Sequence, residues 1–129
     1  MYNQKVMDRF VNPQNVGIVK GADAVGSCKS EQCGDVVKLY LVIYQDKIAE
    51  ARFKAFGSPV TISAADIMCD MLVGKTLDEA LEITNKSVED VISSGIPTLK
   101  LHASVMAEEV ILDAVQDYRK KQEKLEKKK

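Results

Sequence analysis

The sequence is poor in the residues that build most small-protein chemistry. It has one histidine, His102, and three cysteines, Cys28, Cys33 and Cys69, in 129 residues. An odd cysteine count, with no hydrophobic secretory-type segment following residues 1–5, argues against a disulfide framework and for reduced thiols. No apolar run approaches the roughly 20 residues needed to cross a bilayer. The expectation is a cytoplasmic protein with no membrane association. There is no glycine-rich phosphate loop, no glycine elbow around a serine and no pair of carboxylates in a helical metal-binding pattern. With a single histidine, a Ser-His-Asp hydrolase has no support, and the chain is not expected to be an enzyme. The lysine-rich C-terminus lacks interleaved aromatics, which argues against nucleic acid as a partner and for a solvated helix end.

What is present is an ordinary globular composition, 46% hydrophobic and 29% charged, with a formal net charge of −1. Its length suits one compact domain spanning residues 1–129. The charge is divided: residues 119–129 carry +5 and residues 1–118 carry −6. The body is acidic, and the basic segment 119–129 is expected to be a frayed helical tail.

Val6, Met7 and Phe10 have helical spacing over residues 2–10, and Asn12-Pro13 stops the pattern. Residues 15–27 read as a loop or an irregular edge strand. From Val36 to Tyr44 the odd positions are all aliphatic, a strand with one buried face. Alternation resumes after Gln45-Asp46, with Ala49, Ala51, Phe53 and Ala55 on one side and Glu50, Arg52 and Lys54 on the other, which makes an antiparallel hairpin. The small alanines call for a helix lying close against that face. Pro59 opens a helix on which Ile62, Ala65, Cys69 and Leu72 share a face, and Gly74 ends it. Thr76-Leu77-Asp78-Glu79 has the form of a capping box for a helix over 77–84, and Ser87 opens a shorter one. After the turn at residues 94–97, Leu99, Ala103, Met106, Val110 and Ala114 mark a long helix ending near Tyr118. This order predicts an α+β fold: a small antiparallel sheet of about three strands, helices packed on one face, and a long C-terminal helix.

The chemistry-bearing residues are few. If the chain is extended through Cys33-Gly34-Asp35, the thiol and the carboxylate share one face. Cys28 lies five positions earlier, a spacing that suits either one metal in a loop or a thiol without a role. Cys69 sits on an apolar stripe about 16 Å along its helix from Ser58, too far to share a metal with that position, and is expected to be a core residue. His102 is either a polar residue at a helix start or a ligand.

Several stretches, taken together, resemble one family. They are 5–10 with Asn12-Pro13-Gln14-Asn15-Val16-Gly17, Cys33-Gly34-Asp35 before a lysine-bearing strand, 51–57, 74–80, and Lys100-Leu101-His102 with Ala107-Glu108-Glu109. In this order and spacing, over about residues 2–118, the chain is similar to the U-type iron-sulfur scaffold proteins, IscU and the N-terminal domain of NifU. That resemblance implies a cluster assembled on three cysteines, an aspartate and often a histidine, with sulfur supplied by a cysteine desulfurase as partner. Cys33, Asp35 and His102 match the first cysteine, the aspartate and the histidine. Ser58 stands at the second cysteine position and Ala103 at the third, which is also the usual sulfur acceptor. The proline pair read by a partner chaperone in some members is reduced to Ile96-Pro97-Thr98. The resemblance therefore implies a divergent scaffold that lacks two ligand thiols. Its matched set, Cys33, Asp35 and His102, suits a single Zn or Fe ion better than a stable iron-sulfur cluster. Cys28 is a further ligand if the preceding loop folds inward. The alternative implied by the missing thiols is a cluster-less paralogue acting as an interaction or regulatory module on the assembly machinery.

Overall fold

In the computed structural model the described residues are 4–31, 34–93 and 106–127. They form α1 (Gln4–Val11), β1 (Ala24–Lys29), β2 (Val36–Tyr44), β3 (Lys47–Phe56), α2 (Pro59–Leu72), α3 (Leu77–Leu81), α4 (Asn85–Ser93) and α5 (Ala107–Lys127). The strands make an antiparallel sheet in the order β1-β2-β3, and the fold is α+β as the sequence pattern predicts.

The β2–β3 hairpin closes on Gln45 and Asp46, both in the left-handed region with φ of 51° and 63°. A two-residue turn of this hand matches the twist of its flanking strands. Leu39 faces Phe53 and Leu41 faces Ala51, but the register shifts between Val42 and Ile43, where Ile48 rather than Ala49 meets Ile43. The extra residue reverses the pleat. Ile48 is buried and Ala49 exposed, which corrects the expected unbroken alanine face.

Segment 15–27 resolves into both of its readings. Residues 24–29 are the edge strand β1, paired with β2. Farther upstream, Val16 makes a parallel bridge to Phe53, with Gly17 N–H donating to Phe53 C=O at 2.9 Å and Phe53 N–H to Asn15 C=O at 3.0 Å. β1 is short of apolar bulk because α5 lies almost on its backbone. A Cβ at Gly26 would sit 2.5 Å from both Ala114 N and Val110 O. Carboxylates of α5 also satisfy the strand's outer N–H groups, Asp117 from Val25 at 2.9 Å and Asp113 from Ser27 at 2.8 Å. An edge that would otherwise template foreign strands is thereby blocked.

α2 is buried on most of its circumference, including Val60, Ala64, Ala65, Ile67, Met68, Cys69 and Leu72, so it is central rather than one-sided, and the expected stripe through Ile62 is too narrow. Its buried Asp66 anchors the N-terminal segment, accepting Arg9 Nη1 at 2.7 Å and the backbone N–H groups of Gln14 and Asn15 at 2.8 Å each. These donors satisfy the hydrogen-bonding capacity of a carboxylate taken out of water.

The remaining helices start where their caps place them. The Thr76–Glu79 capping box is formed, and α3 ends at Leu81 instead of residue 84. α4 begins two residues before the expected Ser87, because Thr84 and Ser87 cap reciprocally: Thr84 N–H donates to Ser87 Oγ and Ser87 N–H to Thr84 Oγ1. α5 begins at Ala107. Met106 precedes it as a buried non-helical residue, so the long helix does not run through Met106. Leu99 and Ala103 lie outside the described residues. Asn85 joins the α4 and α5 starts, donating its N–H to Glu108 Oε2 at 2.8 Å and accepting Glu108 N–H at 3.0 Å. The α5 helix continues beyond Tyr118 into the basic segment as far as Lys127.

Candidate functional site

The described part of the site lies where the start of β2 meets the N-terminus of α2. Gly34 has φ of +74°, and its N–H donates to Ser30 C=O at 2.7 Å while Ser30 N–H donates to Asp35 C=O at 2.8 Å. These bonds close the turn joining β1 to β2. Gly34, in the left-handed region, departs from the extended backbone expected over positions 33–35. Cys33 and His102, like Ala103, the turn expected at residues 94–97 and Ile96-Pro97-Thr98, lie outside the described residues.

Asp35 is buried although charged. Its Oδ2 accepts a 2.6 Å hydrogen bond from Thr61 Oγ1, whose residue is also buried. Thr61 stands one turn into α2, below Ser58. The Ser58 side chain caps that helix, its Oγ accepting Thr61 N–H at 3.3 Å and lying 3.2 Å from Thr61 Oγ1. Ser58 is in extended conformation and Pro59 follows it as a first helical residue, the preferred arrangement for a helix start. Position 58 thus holds a hydroxyl engaged in capping, an oxygen donor where the resemblance implies a thiolate.

Cys28 lies in β1 opposite Val37. Its thiol is half-buried beside Glu109 and Asp113 of α5, and burial followed by those two carboxylates pushes its pKa up. Cys28 thus stands in a strand rather than a loop, and its surroundings favour the neutral thiol. Cys69 is fully buried among core side chains, as expected, with its pKa pushed well up by burial and then by Asp66 and Asp70. Among the described residues no three His, Cys, Asp or Glu side chains gather closely enough to hold a metal ion.

Sequence reasoning did not identify Thr61. Its spacing of three from Ser58 is a capping signal, but Asp35 is 26 positions away, and only the packing of α2 against the sheet unites them. A second feature it did not reach is an apolar groove lined by Phe10, Pro13, Val16, Val36, Phe56 and Ile62, with Lys38 and Lys54 beside them. Phe56 in its wall is 77% exposed, well beyond what a core aromatic shows.

Among the described residues no helix is long and apolar enough to cross a membrane. Comparison with known proteins agrees with the sheet-and-helix arrangement. The chain is 36% identical over 127 residues to the iron-sulfur cluster assembly scaffold protein IscU 1 of Archaeoglobus fulgidus, covering 98% of this chain and 82% of that protein. It is 35% identical to the scaffold protein IscU of Aquifex aeolicus, over 97% of this chain and 80% of that one. Among solved structures, a candidate iron-sulfur cluster assembly scaffold protein for the SUF system from Fervidobacterium islandicum AW-1 superposes with a TM-score of 0.72 at 21% identity, covering 88% of this chain and 96% of that one. Residues 1–125 match the NifU-like N terminal domain, and the chain belongs to that family of iron-sulfur cluster assembly scaffolds.

Proposed function

We propose that this protein is a divergent scaffold that binds a single iron or zinc ion, or a labile iron-sulfur cluster, around Cys33, Asp35 and His102, with Cys28 as a further donor and no catalysis of its own. The observation that carries this reading is Asp35, a buried carboxylate held at the N-terminus of α2 by Thr61. Burial of a charge costs several kcal/mol unless it is used or compensated, and this one stands at a position matched to the family's aspartate. Ser58 and Ala103 replace the soft donors that a stable cluster needs. One thiolate, one carboxylate and one imidazole form a mixed set suited to zinc or iron(II), with an open position for water or sulfide. A cysteine desulfurase is the corresponding partner for sulfur supply. The apolar groove beside Phe56 offers a surface on which an assembly partner can rest.

The test is anaerobic reconstitution with iron and sulfide of the wild type, Cys33→Ala and Cys28→Ala. The wild type should retain about one iron per chain after desalting, Cys33→Ala should lose it, and Cys28→Ala should bind more weakly. A wild type that emerges free of both iron and sulfide would overturn the proposal.

A further inference from the structure

The hydroxyls at the start of α2 have a fixed direction. A carboxylate only accepts, so the Thr61 hydroxyl proton is committed to Asp35 Oδ2 at 2.6 Å. At the 3.2 Å contact between Ser58 and Thr61, Ser58 is therefore the donor. The order is Ser58 to Thr61 to Asp35. The backbone makes room for the carboxylate: a Cβ at Gly57 would lie 2.8 Å from both Cγ and Oδ1 of Asp35 and 3.0 Å from Thr61 Cβ. No side chain larger than hydrogen fits at position 57 without moving Asp35 or Thr61.

We propose that Thr61 is a positioning residue for Asp35, fixing the carboxylate over Gly57 in the pose in which it meets a metal ion. This rests on the reading of Asp35 as a ligand given above. A ligating carboxylate oriented in advance loses less freedom on binding, and loss of such an outer hydrogen bond typically costs 10–100-fold in metal affinity. Ser58, placed where a thiolate would bind directly, then acts on the ion only through Thr61.

The experiment compares wild type, Thr61→Val, Thr61→Ser and Gly57→Ala in zinc affinity, by competition with a chromophoric chelator, and in the ligand-field bands of the cobalt(II) form. Thr61→Val should bind zinc about tenfold or more weakly with altered cobalt bands, while Thr61→Ser, which keeps the hydroxyl, should stay within about twofold of wild type. Should Thr61→Val fail to fold by circular dichroism, Gly57→Ala displaces the carboxylate from the other side and should show the same loss. Wild-type affinity and bands in whichever of these two variants folds would overturn the inference. A metal-free measurement separates it from the reading beneath it: the Asp35 carboxyl carbon resonance, assigned by its loss in Asp35→Asn, should shift in Thr61→Val and return in Thr61→Ser. An unshifted resonance overturns the positioning role itself. A shifted resonance in a wild type that binds neither zinc nor cobalt overturns the ligand reading of Asp35, and with it the metal-positioning role of Thr61.

Discussion

Cys28 and Cys69, the two cysteines among the described residues, differ in surroundings, and so in chemistry. Cys69 is buried in the core and Cys28 half-buried beside Glu109 and Asp113, and in both the thiol's pKa is raised above its ordinary 9.0. A raised thiol pKa favours the neutral form in the folded state. The stabilisation it provides is complete below about pH 9 and is lost as pH climbs toward the folded value. In a Cys33→Ala background, a chromogenic disulfide should react slowly with Cys28 at pH 7 and faster above pH 9, because the thiolate is the nucleophile. Cys69 should react only after unfolding in urea. Rapid labelling of two thiols in the native variant at pH 7 would contradict these environments. Metal binding at Cys28 must also displace its proton, so its contribution to any site strengthens with pH.

Elements in this fold are set by packing as much as by their own pattern, and β1 shows it most sharply. The Val25 and Ser27 N–H groups depend on Asp117 and Asp113, and Gly26 permits α5 to approach. Gly26→Ala should destabilise the protein by about 1–3 kcal/mol or more, since the clash is with helix backbone that cannot swing aside. Urea denaturation measures this, and an unchanged midpoint would contradict the packing. The same strand explains what sequence reading could reach. β2 and β3 were legible because one face of each is apolar at period 2, and α3 because Thr76 and Glu79 form a local cap. β1 was legible only as one of two readings, since Ala24, Gly26 and Cys28 are small for the sake of a helix more than 80 positions away in the chain. The bulge at Ala49 was hidden for the opposite reason: Ile48 and Ala51 are both apolar, and nothing local tells which phase wins. At the candidate site Asp35 was legible through its neighbours in the chain, whereas Thr61, Gly57 and the Asp66 anchor owe their roles to contacts between distant segments.

At the scale of the whole molecule, the family framework is retained, and position 58 at the start of α2 carries a hydroxyl. The sheet, the central α2 and the long α5 bring Asp35, Ser58 and Thr61 to one place, and Ser58 caps a helix there through its hydroxyl. Net charge is divided: the acidic portion, −6 over residues 1–118, attracts cations, and the basic portion extends along α5. The central claim is that the chain still carries metal with fewer thiols than a cluster requires. Its most direct test is the metal and acid-labile sulfide content of wild type and Cys33→Ala purified without oxygen or chelator. The account predicts about one iron or zinc per wild-type chain, sulfide well below the metal, and loss of that metal in Cys33→Ala. A metal-free wild type, or equal metal in the two proteins, would contradict it.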